Sequence, residues 1–508
     1  MSTLGWPNPE AFPEAFPEGS AALEKWNPSS TLCTAREIIT LWVSRMVMFN
    51  LYLRDCLPFK DVFIHAMIQD GEGQKMSKSL GNGVDPLDIV HSHGADALRF
   101  TLAQMTTNTQ DVRMPVDTVC PFTGEAFAPK TKRTKAGHVV AAPTQAGPTD
   151  PTKTMVTSFG VASGEAEPTD DTPLARNTSP KFDGGRNFCN KLWNAGRFAM
   201  QNLEQGVSPD SQGLSLADRW ILSRLTRTIQ DIDKALTGFH FNTYVQTAYD
   251  FFWRDLCDWY LEAIKPVVRS DDPAGAAARQ TLAINLDVML RIMHPAIPYI
   301  TEKMWSNLNT TAPTRGRSDW QLPASETCIN AAWPQAQPNL IDEDAETQFD
   351  LVRDIVSTVR NIRSEYGVKP KDTVNIHLKA DDTQGALISA SQSTIEQLAT
   401  VSITALGNDI AQPDDAVVGV VSPAVSVFVE GLIDVEAESD RLQKRIAELQ
   451  KDQKSLTGRL NNKGYVDKAP AHPSNKPAIN SRALSKSFKR LRNSLVAWGR
   501  LIRSRNPG

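Results

Sequence analysis

Between Asn187 and Trp305 the sequence carries four long segments of helical period: NFCNKLWNAGRFAMQNL, ADRWILSRLTRTIQDIDKAL, NTYVQTAYDFFWRDLCDWYLEAIKP and AINLDVMLRIMHPAIPYITEKMW. In each, apolar and aromatic residues return at three- and four-residue steps, the spacing that gives a helix one apolar stripe. Successive stripes of this kind bury one another by packing together, so residues 182–345 are expected to form a helix bundle.

The chain has 508 residues, enough for about two to four domains. Apolar residues make up 41% and charged residues 22%, which predicts folded domains with real cores. With a formal net charge of −4, any nucleic-acid site must come from a local patch rather than the bulk field. The six cysteines are scattered and form no CxxC pair, which excludes a zinc ribbon and fits a reducing compartment. Cys120, in VCPFTGEAF, has the form of half a metal knuckle with no second half, so no metal is expected. No segment reads as a signal peptide, and no apolar run approaches the ~18 residues of a membrane span. A soluble, cytoplasmic chain with no membrane or DNA partner is the expectation.

Residues 35–54, AREIITLWVSRMVMFNLYLR, predict a helix with Ile38, Leu41, Trp42, Arg45, Met46 and Phe49 along one side. DVFIHAMIQD, residues 61–70, reads as a mostly buried strand. DPLDIVHSHGADALRFTLAQ, residues 85–104, predicts one or two helices with Asp85 or Asp88 as N-cap. Residues 116–181 are rich in Pro, Thr, Gly and Ala, and read as an insertion that is partly disordered. Residues 346–431 combine a helix with the β-rich stretches TVNIHLKA, TVSITALG and AVVGVVSPAVSVFVEG, a small α/β module. Over residues 432–472, Leu442, Ile446, Leu449, Gln453, Leu456 and Leu460 alternate in steps of four and three, the pattern of a coiled coil.

GQKMSKSLGN, residues 73–82, places Lys75 and Lys78 on a short stretch with glycines on both sides. A solvated surface loop is one reading. Nucleotidyl transfer is the other: attack of a carboxylate on the α-phosphate of ATP builds negative charge on the phosphates and on the leaving pyrophosphate. Two ammonium groups on a mobile loop can neutralise that charge as it develops.

The surrounding segment, DGEGQKMSKSLGNGVDPLDIVHSHGADALRFTLA, resembles the signature loop of the class I aminoacyl-tRNA synthetases. STLGWP, TAREIITLWVSRMVM and PFKDVFIHAMIQD resemble the second half of the catalytic domain in the branched-chain subgroup. NKLWNAGRF, FFWRDLCDWYLEAIKP, MHPAIPYITEKMW, VRNIRSEYGVKP and the start of the coiled coil resemble the valyl type in particular. The resemblance covers roughly residues 2–115 and 181–471. It implies an α/β plus all-α chain. Residues 1–115 would be the C-terminal half of a Rossmann-like catalytic domain, 182–345 an anticodon-binding bundle, and 432–472 a coiled-coil tRNA-binding arm, with 346–431 the small α/β module.

By the same resemblance, Lys75 and Lys78 are catalytic, and Lys75, Met76, Ser77, Lys78, Ser79, Glu37 and His65 form the ATP site. Glu37 stands where the family has an acid that holds the adenosine ribose. Trp42 stands at the amino-acid pocket, with a core helix position as its alternative, and a core position is likewise the alternative for His65. Arg360, Arg363, Arg441, Lys444 and Arg445 are the tRNA-binding candidates, while Trp253, Trp259 and Tyr260 read as core residues rather than base-stacking platforms. The implied cofactors and partners are ATP with Mg2+, L-valine and tRNA(Val).

The sequence also departs from the family. None of the eight histidines forms the His-x-Gly-His element, and neither the first half of the nucleotide-binding fold nor an editing domain is recognisable. The expectation is therefore an incomplete fragment, with a separately encoded N-terminal half as a candidate partner. Residues 473–508 hold many Lys and Arg and no acid, and read either as a basic tRNA-binding tail or as a slipped reading frame. The alternatives to a valine–tRNA ligase are a catalytically inert tRNA-binding fragment and an isoleucyl-type synthetase.

Overall fold

The computed structural model describes residues 4–107, 110–208, 211–413 and 415–432. The predicted coiled coil, its candidates Arg441, Lys444 and Arg445, and the 473–508 tail lie outside the described residues. The chain divides into two compact units, the first ending at Glu346 and the second beginning at Thr347.

The first unit opens with the short helix α1 (Ala21–Trp26) and then a parallel pair, β1 (Ser29–Ala35) beside β2 (Phe59–His65), in register from Ser29 opposite Phe59 to Ala35 opposite His65. A parallel pair needs a crossover. It is supplied by a tight helical turn over Arg36–Ile38, a wider one over Ile39–Val43, and α2 (Ser44–Arg54). Parallel strands are normally covered on both faces. Here the sheet has only two strands, and the crossover leaves Leu41, Met48, Phe49 and Tyr52 exposed. The single helix predicted over residues 35–54 is corrected: α2 begins only at Ser44, and Ile38, Leu41, Trp42 and Phe49 of the predicted apolar side are exposed.

The buried strand expected over residues 61–70 is corrected in two ways. It is two strands, β2 and β3 (Ile68–Asp70), and β2 is open to solvent, with Val62 42% exposed. The physical reason is an uncovered face: Val62 projects to solvent, while Phe63 on the opposite face packs on Phe239 and Phe241. β3 pairs in parallel with β4 (Val112–Met114), after α3 (Pro86–His93) and α4 (Ala95–Met105). Asp85 caps α3, its side chain accepting from the backbone N–H of Leu87 at 2.8 Å.

Residues 116–181 are described throughout, against the expectation of partial disorder. They form β5 (Asp117–Val119), β6 (Ala126–Phe127), β7 (Thr131–Arg133), β8 (Val139–Ala141), β9 (Thr144–Ala146), β10 (Thr154–Val156), α5 (Ser158–Ser163) and β11 (Arg176–Thr178). A β11–β5–β6 sheet and the pairs β7–β8 and β9–β10 satisfy their backbone groups. Cys120, Met155 and Ala175, with Phe127 against them, make a small core. Threonines serve as strand residues here, and Pro and Gly fall between strands, so a composition that looks unstructured codes for short hairpins.

The four periodic segments are helical, in more elements than the periodicity marks: α6 (Lys181–Leu203), α7 (Leu216–Thr237), α8 (Phe241–Asp250), α9 (Leu261–Ile264), α10 (Pro273–Met293) and α11 (Pro298–Thr311), with wider helical turns over Phe251–Tyr260 joining α8 to α9. A reciprocal Ser215–Asp218 capping box starts α7. Phe100 of α4 stacks on Phe188 of α6 at 4.6 Å, so the helices after the lysine loop are part of the bundle core. β12 (Gly316–Arg317) and β13 (Trp320–Gln321) form a small hairpin beyond α11.

The second unit takes in α12 (Glu343–Glu365) from Thr347 onward, β14 (Val374–Ala380), α13 (Asp382–Ala390), α14 (Gln392–Ala399), β15 (Val401–Gly407), β16 (Val417–Ser422) and β17 (Val425–Val429). Its sheet runs β15–β14–β17–β16, with β14 and β15 parallel and the other pairs antiparallel. Ile376, Leu378, Val427 and Val429 of the sheet are fully buried, as are Ile355 and Val359 of α12.

Candidate active site

The lysine loop begins where β3 ends. Asp70 is 5% exposed, and its carboxylate accepts from the backbone N–H groups of Glu72 (3.0 Å) and Gln74 (2.8 Å) and from the side-chain amides of Gln74 (2.8 Å) and Asn82 (2.8 Å). Asn82 also donates to the carbonyl of Lys75 and accepts from the N–H of Ser77 at 2.9 Å. One buried carboxylate and one buried amide thus close the loop from both ends. Neither was a sequence candidate. Asp70 ends a strand and Asn82 lies twelve positions on, and that spacing carries no periodic signal.

Within the closed loop the residues alternate in environment. Met76 turns inward and packs on a core cluster with Ile89, Met114 and Phe182, while Lys75 and Lys78 are exposed. Ser77 caps a single helical turn, Lys78–Leu80, its hydroxyl accepting from the N–H of Leu80 at 3.2 Å, and Ser79 lies 3.1 Å from that hydroxyl. Gly81 follows at φ +55°, a left-handed conformation that favours glycine.

Lys75 Nζ lies 2.6 Å from Glu37 Oε2, so two residues singled out for opposite ends of one nucleotide are in contact. Glu37 leaves the end of β1, and His65, whose Nδ1 lies 2.9 Å from the carbonyl of Ala66, ends β2 opposite Ala35. These residues therefore gather at the carboxyl ends of parallel strands, where open α/β sheets bind ligands. Asp111, just before β4, accepts from Gln69 and the backbone of Met67 and pairs with Arg36, which ties the end of β1 to β3.

Trp42 is not part of this gathering. It lines a cavity of about 300 Å³ with Asn27, Ser29, Met46, Phe49 and Phe59, at the strand starts rather than the strand ends. Among the described residues no group of three or more His, Cys, Asp or Glu could hold a metal.

The nucleic-acid candidates divide. Arg363 is 6% exposed and donates to the carbonyls of Thr400, Lys369 and Pro370, so a phosphate role is corrected to an internal staple. Arg360 is exposed, although its guanidinium donates to the carbonyl of Leu398 at the end of α14. The aromatic expectation is met for Tyr260, which is fully buried with its hydroxyl donating to Asp218. Trp253 is half-covered, stacked on Tyr249 and lying under the Lys191 ammonium.

Family comparisons follow the same division of the chain. Residues 2–115 match the family of class I tRNA synthetases (I, L, M and V), residues 218–378 the anticodon-binding domain of tRNA ligases, and residues 434–496 the valyl tRNA synthetase tRNA binding arm. The last match runs beyond residue 473, where the sequence reads as losing the arm pattern. The chain is 38% identical over 481 residues to a valine–tRNA ligase of Rhodopirellula baltica, covering 92% of this chain and 44% of that protein. A valine–tRNA ligase of Geobacillus kaustophilus is 33% identical, over 93% of this chain and 45% of its own length. A solved LeuRS–tRNA–LeuAMS complex from Agrobacterium radiobacter aligns at 18% identity and a TM-score of 0.41, over 65% of this chain and 31% of that one, too loosely to carry an argument. The chain spans less than half the length of the curated relatives it matches. With three family models in succession and relatives aligned over more than nine-tenths of its residues, the chain belongs to the class I tRNA synthetases, as a partial member of the valyl-tRNA synthetase family.

Proposed function

We propose that the chain serves the ligation of L-valine to tRNA(Val). In the first step the valine carboxylate attacks the α-phosphorus of ATP, and pyrophosphate leaves with the electrons of the broken P–O bond. In the second, a terminal ribose hydroxyl of the tRNA takes the valyl group and releases AMP. Lys75 and Lys78 neutralise the charge that grows on the phosphates, Glu37 accepts from the ribose hydroxyls, and His65 lines the nucleotide. Met76, Ser77 and Ser79 hold the loop's shape. Mg2+ arrives with ATP rather than in a preformed protein cage, as is usual for that ion. The tRNA is held by the bundle, by exposed Arg360 and by Arg441, Lys444 and Arg445 of the arm.

The observation that supports this most is the contact between Lys75 and Glu37 at the strand ends. In the resting chain the carboxylate partners the loop lysine, and a nucleotide would offer phosphate to one and ribose to the other. Valine-dependent ATP–pyrophosphate exchange by the purified chain, run beside a tRNA gel shift, tests it.

One observation favours a second reading. The exposed apolar side of α2 and the bare two-stranded sheet leave a large surface to be covered, consistent with a separately encoded N-terminal half as partner. On that reading the chain alone binds tRNA(Val) without forming adenylate. Binding without exchange favours the tRNA-binding fragment, and exchange by the chain alone removes it.

A further inference from the structure

The 116–181 segment lies between the class I match, which ends at residue 115, and the anticodon-domain match, which begins at residue 218. Three of its elements touch the lysine loop. From β8, Val139 exchanges two hydrogen bonds with the Gln74 side chain: the Gln74 amide donates to the Val139 carbonyl at 2.7 Å, and the Val139 N–H donates to Gln74 Oε1 at 2.7 Å. From β11, Asn177, 9% exposed, donates to the carbonyls of Gly81 (2.9 Å) and Gly83 (2.7 Å). From α5, the backbone at Ser158 and Phe159 lies so close to Gly81 that a Cβ there would overlap it. Arg176, beside Asn177, pairs with Asp88 of α3 at 3.4 Å.

These contacts fall on either side of the lysines. Gln74 precedes Lys75, and Gly81 and Gly83 follow Ser79, so the five residues Lys75–Ser79 span two points held by one insertion. Side-chain amides suit the task. Asn177 donates to two carbonyls of the loop, and Gln74 of the loop meets the backbone N–H and carbonyl of Val139, groups that are costly to leave without a partner. Asp70 and Asn82 close the loop from within, and the insertion fixes it from outside.

We propose that residues 116–181 are a clasp that sets the resting position of the lysine loop, with Asn177 and Gln74 as positioning residues. The proposal rests on the reading of Lys75 and Lys78 as the charge-stabilising groups, because stabilisation of a transition state depends on where the ammonium groups are held. Neither Asn177 nor Gln74 touches substrate. Each acts through the backbone that carries the lysines.

The test is hydrogen exchange on the whole 508-residue chain, comparing Asn177→Leu and Gln74→Glu with the unsubstituted protein. Asn177→Leu keeps the side-chain size and removes both donors. Gln74→Glu leaves the insertion untouched and removes the amide's bonds to both the Val139 carbonyl and Asp70, so acceleration in it counts for the clasp only together with acceleration in Asn177→Leu. The clasp predicts that amides of residues 73–83 exchange roughly tenfold faster in each variant, since a bond worth about 1.4 kcal/mol is a factor of ten. Amides of α7 and α10 should keep their rates. Unchanged rates at 73–83 in Gln74→Glu overturn the proposal even where Asn177→Leu unfolds the insertion. Mg–ATP added to the unsubstituted chain judges the nucleotide reading separately. Protection at residues 75–79 supports the nucleotide reading, and a clasp effect with no protection by ATP supports the clasp while removing the role assigned to the lysines.

Discussion

Lys75 and Glu37, thirty-eight residues apart in sequence, meet at 2.6 Å with both side chains well exposed, 64% and 43%. Ion pairs of that exposure contribute about 0–1 kcal/mol to stability. The pair is therefore a poor explanation of folding and a good candidate for chemistry. Lys75→Ala is expected to leave the unfolding midpoint within experimental scatter while lowering valine-dependent pyrophosphate exchange by about 10²–10³-fold, the cost of one charge-stabilising group. If this chain shows no exchange, the fall is to be read in ATP affinity. A variant that unfolds early and keeps its affinity for ATP would place Lys75 in the scaffold.

Asp96 joins the helices behind the lysine loop to the bundle. Its carboxylate accepts from the N–H groups of Tyr299 (3.1 Å) and Ile300 (2.7 Å), the first turn of α11, and Arg99 donates to the carbonyls of Pro295 and Ala296 just before it. This is an N-cap supplied from another helix. Asp96→Ala should cost about 1–2 kcal/mol and speed amide exchange at the start of α11 before other helices. Uniform exchange across the bundle would show that the joint is not local.

Trp305 packs against two guanidinium groups, Arg291 at 4.8 Å and Arg315 at 4.6 Å, and both arginines pair with the fully buried Asp287. Removing the shared carboxylate leaves two buried cations without a counter-charge. Asp287→Asn is expected to lose about 3–5 kcal/mol in urea unfolding followed by tryptophan fluorescence. A loss below about 1 kcal/mol would mean that the carbonyls bound by these arginines suffice alone.

Arg363 makes the opposite prediction to an RNA contact. With its guanidinium spent on three carbonyls, Arg363→Ala should destabilise the second unit by about 2–3 kcal/mol, a buried polar network losing its hub. The salt dependence of tRNA binding should not change. A shallower salt slope with unchanged stability would return Arg363 to the phosphate contacts.

Two histidines set a pH limit. Burial pushes the pKa of His93 down, with Arg186 nearby adding to the effect and Asp183 opposing it, and burial lowers His294 against the opposing charges of Glu302 and Asp96. Both rings take up a proton more readily unfolded than folded. Stability from them is complete above about pH 6.5 and is lost as pH falls below that value. Burial raises the Asp96 carboxyl instead, and its contribution runs the other way, falling as pH rises through the folded value. The double variant His93→Gln, His294→Gln should flatten the decline in melting temperature between about pH 6.5 and 5. An unchanged slope would assign the acid sensitivity elsewhere.

What the sequence determined by itself is local and periodic. Helical spacing was enough to mark four helical segments, because each apolar stripe is written within its own stretch, but not the breaks that divide them into α6 to α11. The Asp85 cap is set within its own turn, by the N–H of Leu87 two residues on. The lysine loop and Glu37 were legible as parts of one nucleotide site through the family resemblance, but their direct contact was not. Tertiary structure decided what distance in sequence conceals. It brought Glu37 to Lys75, turned Arg363 inward, and sent Trp42 to the strand starts. It also ordered a Pro- and Thr-rich segment by hairpin pairing and set Asn177 on Gly81, ninety-six residues away. Composition reports what a segment can bury against itself. It cannot report the carbonyl that a distant amide will find, because that partner exists only once the two strands are side by side.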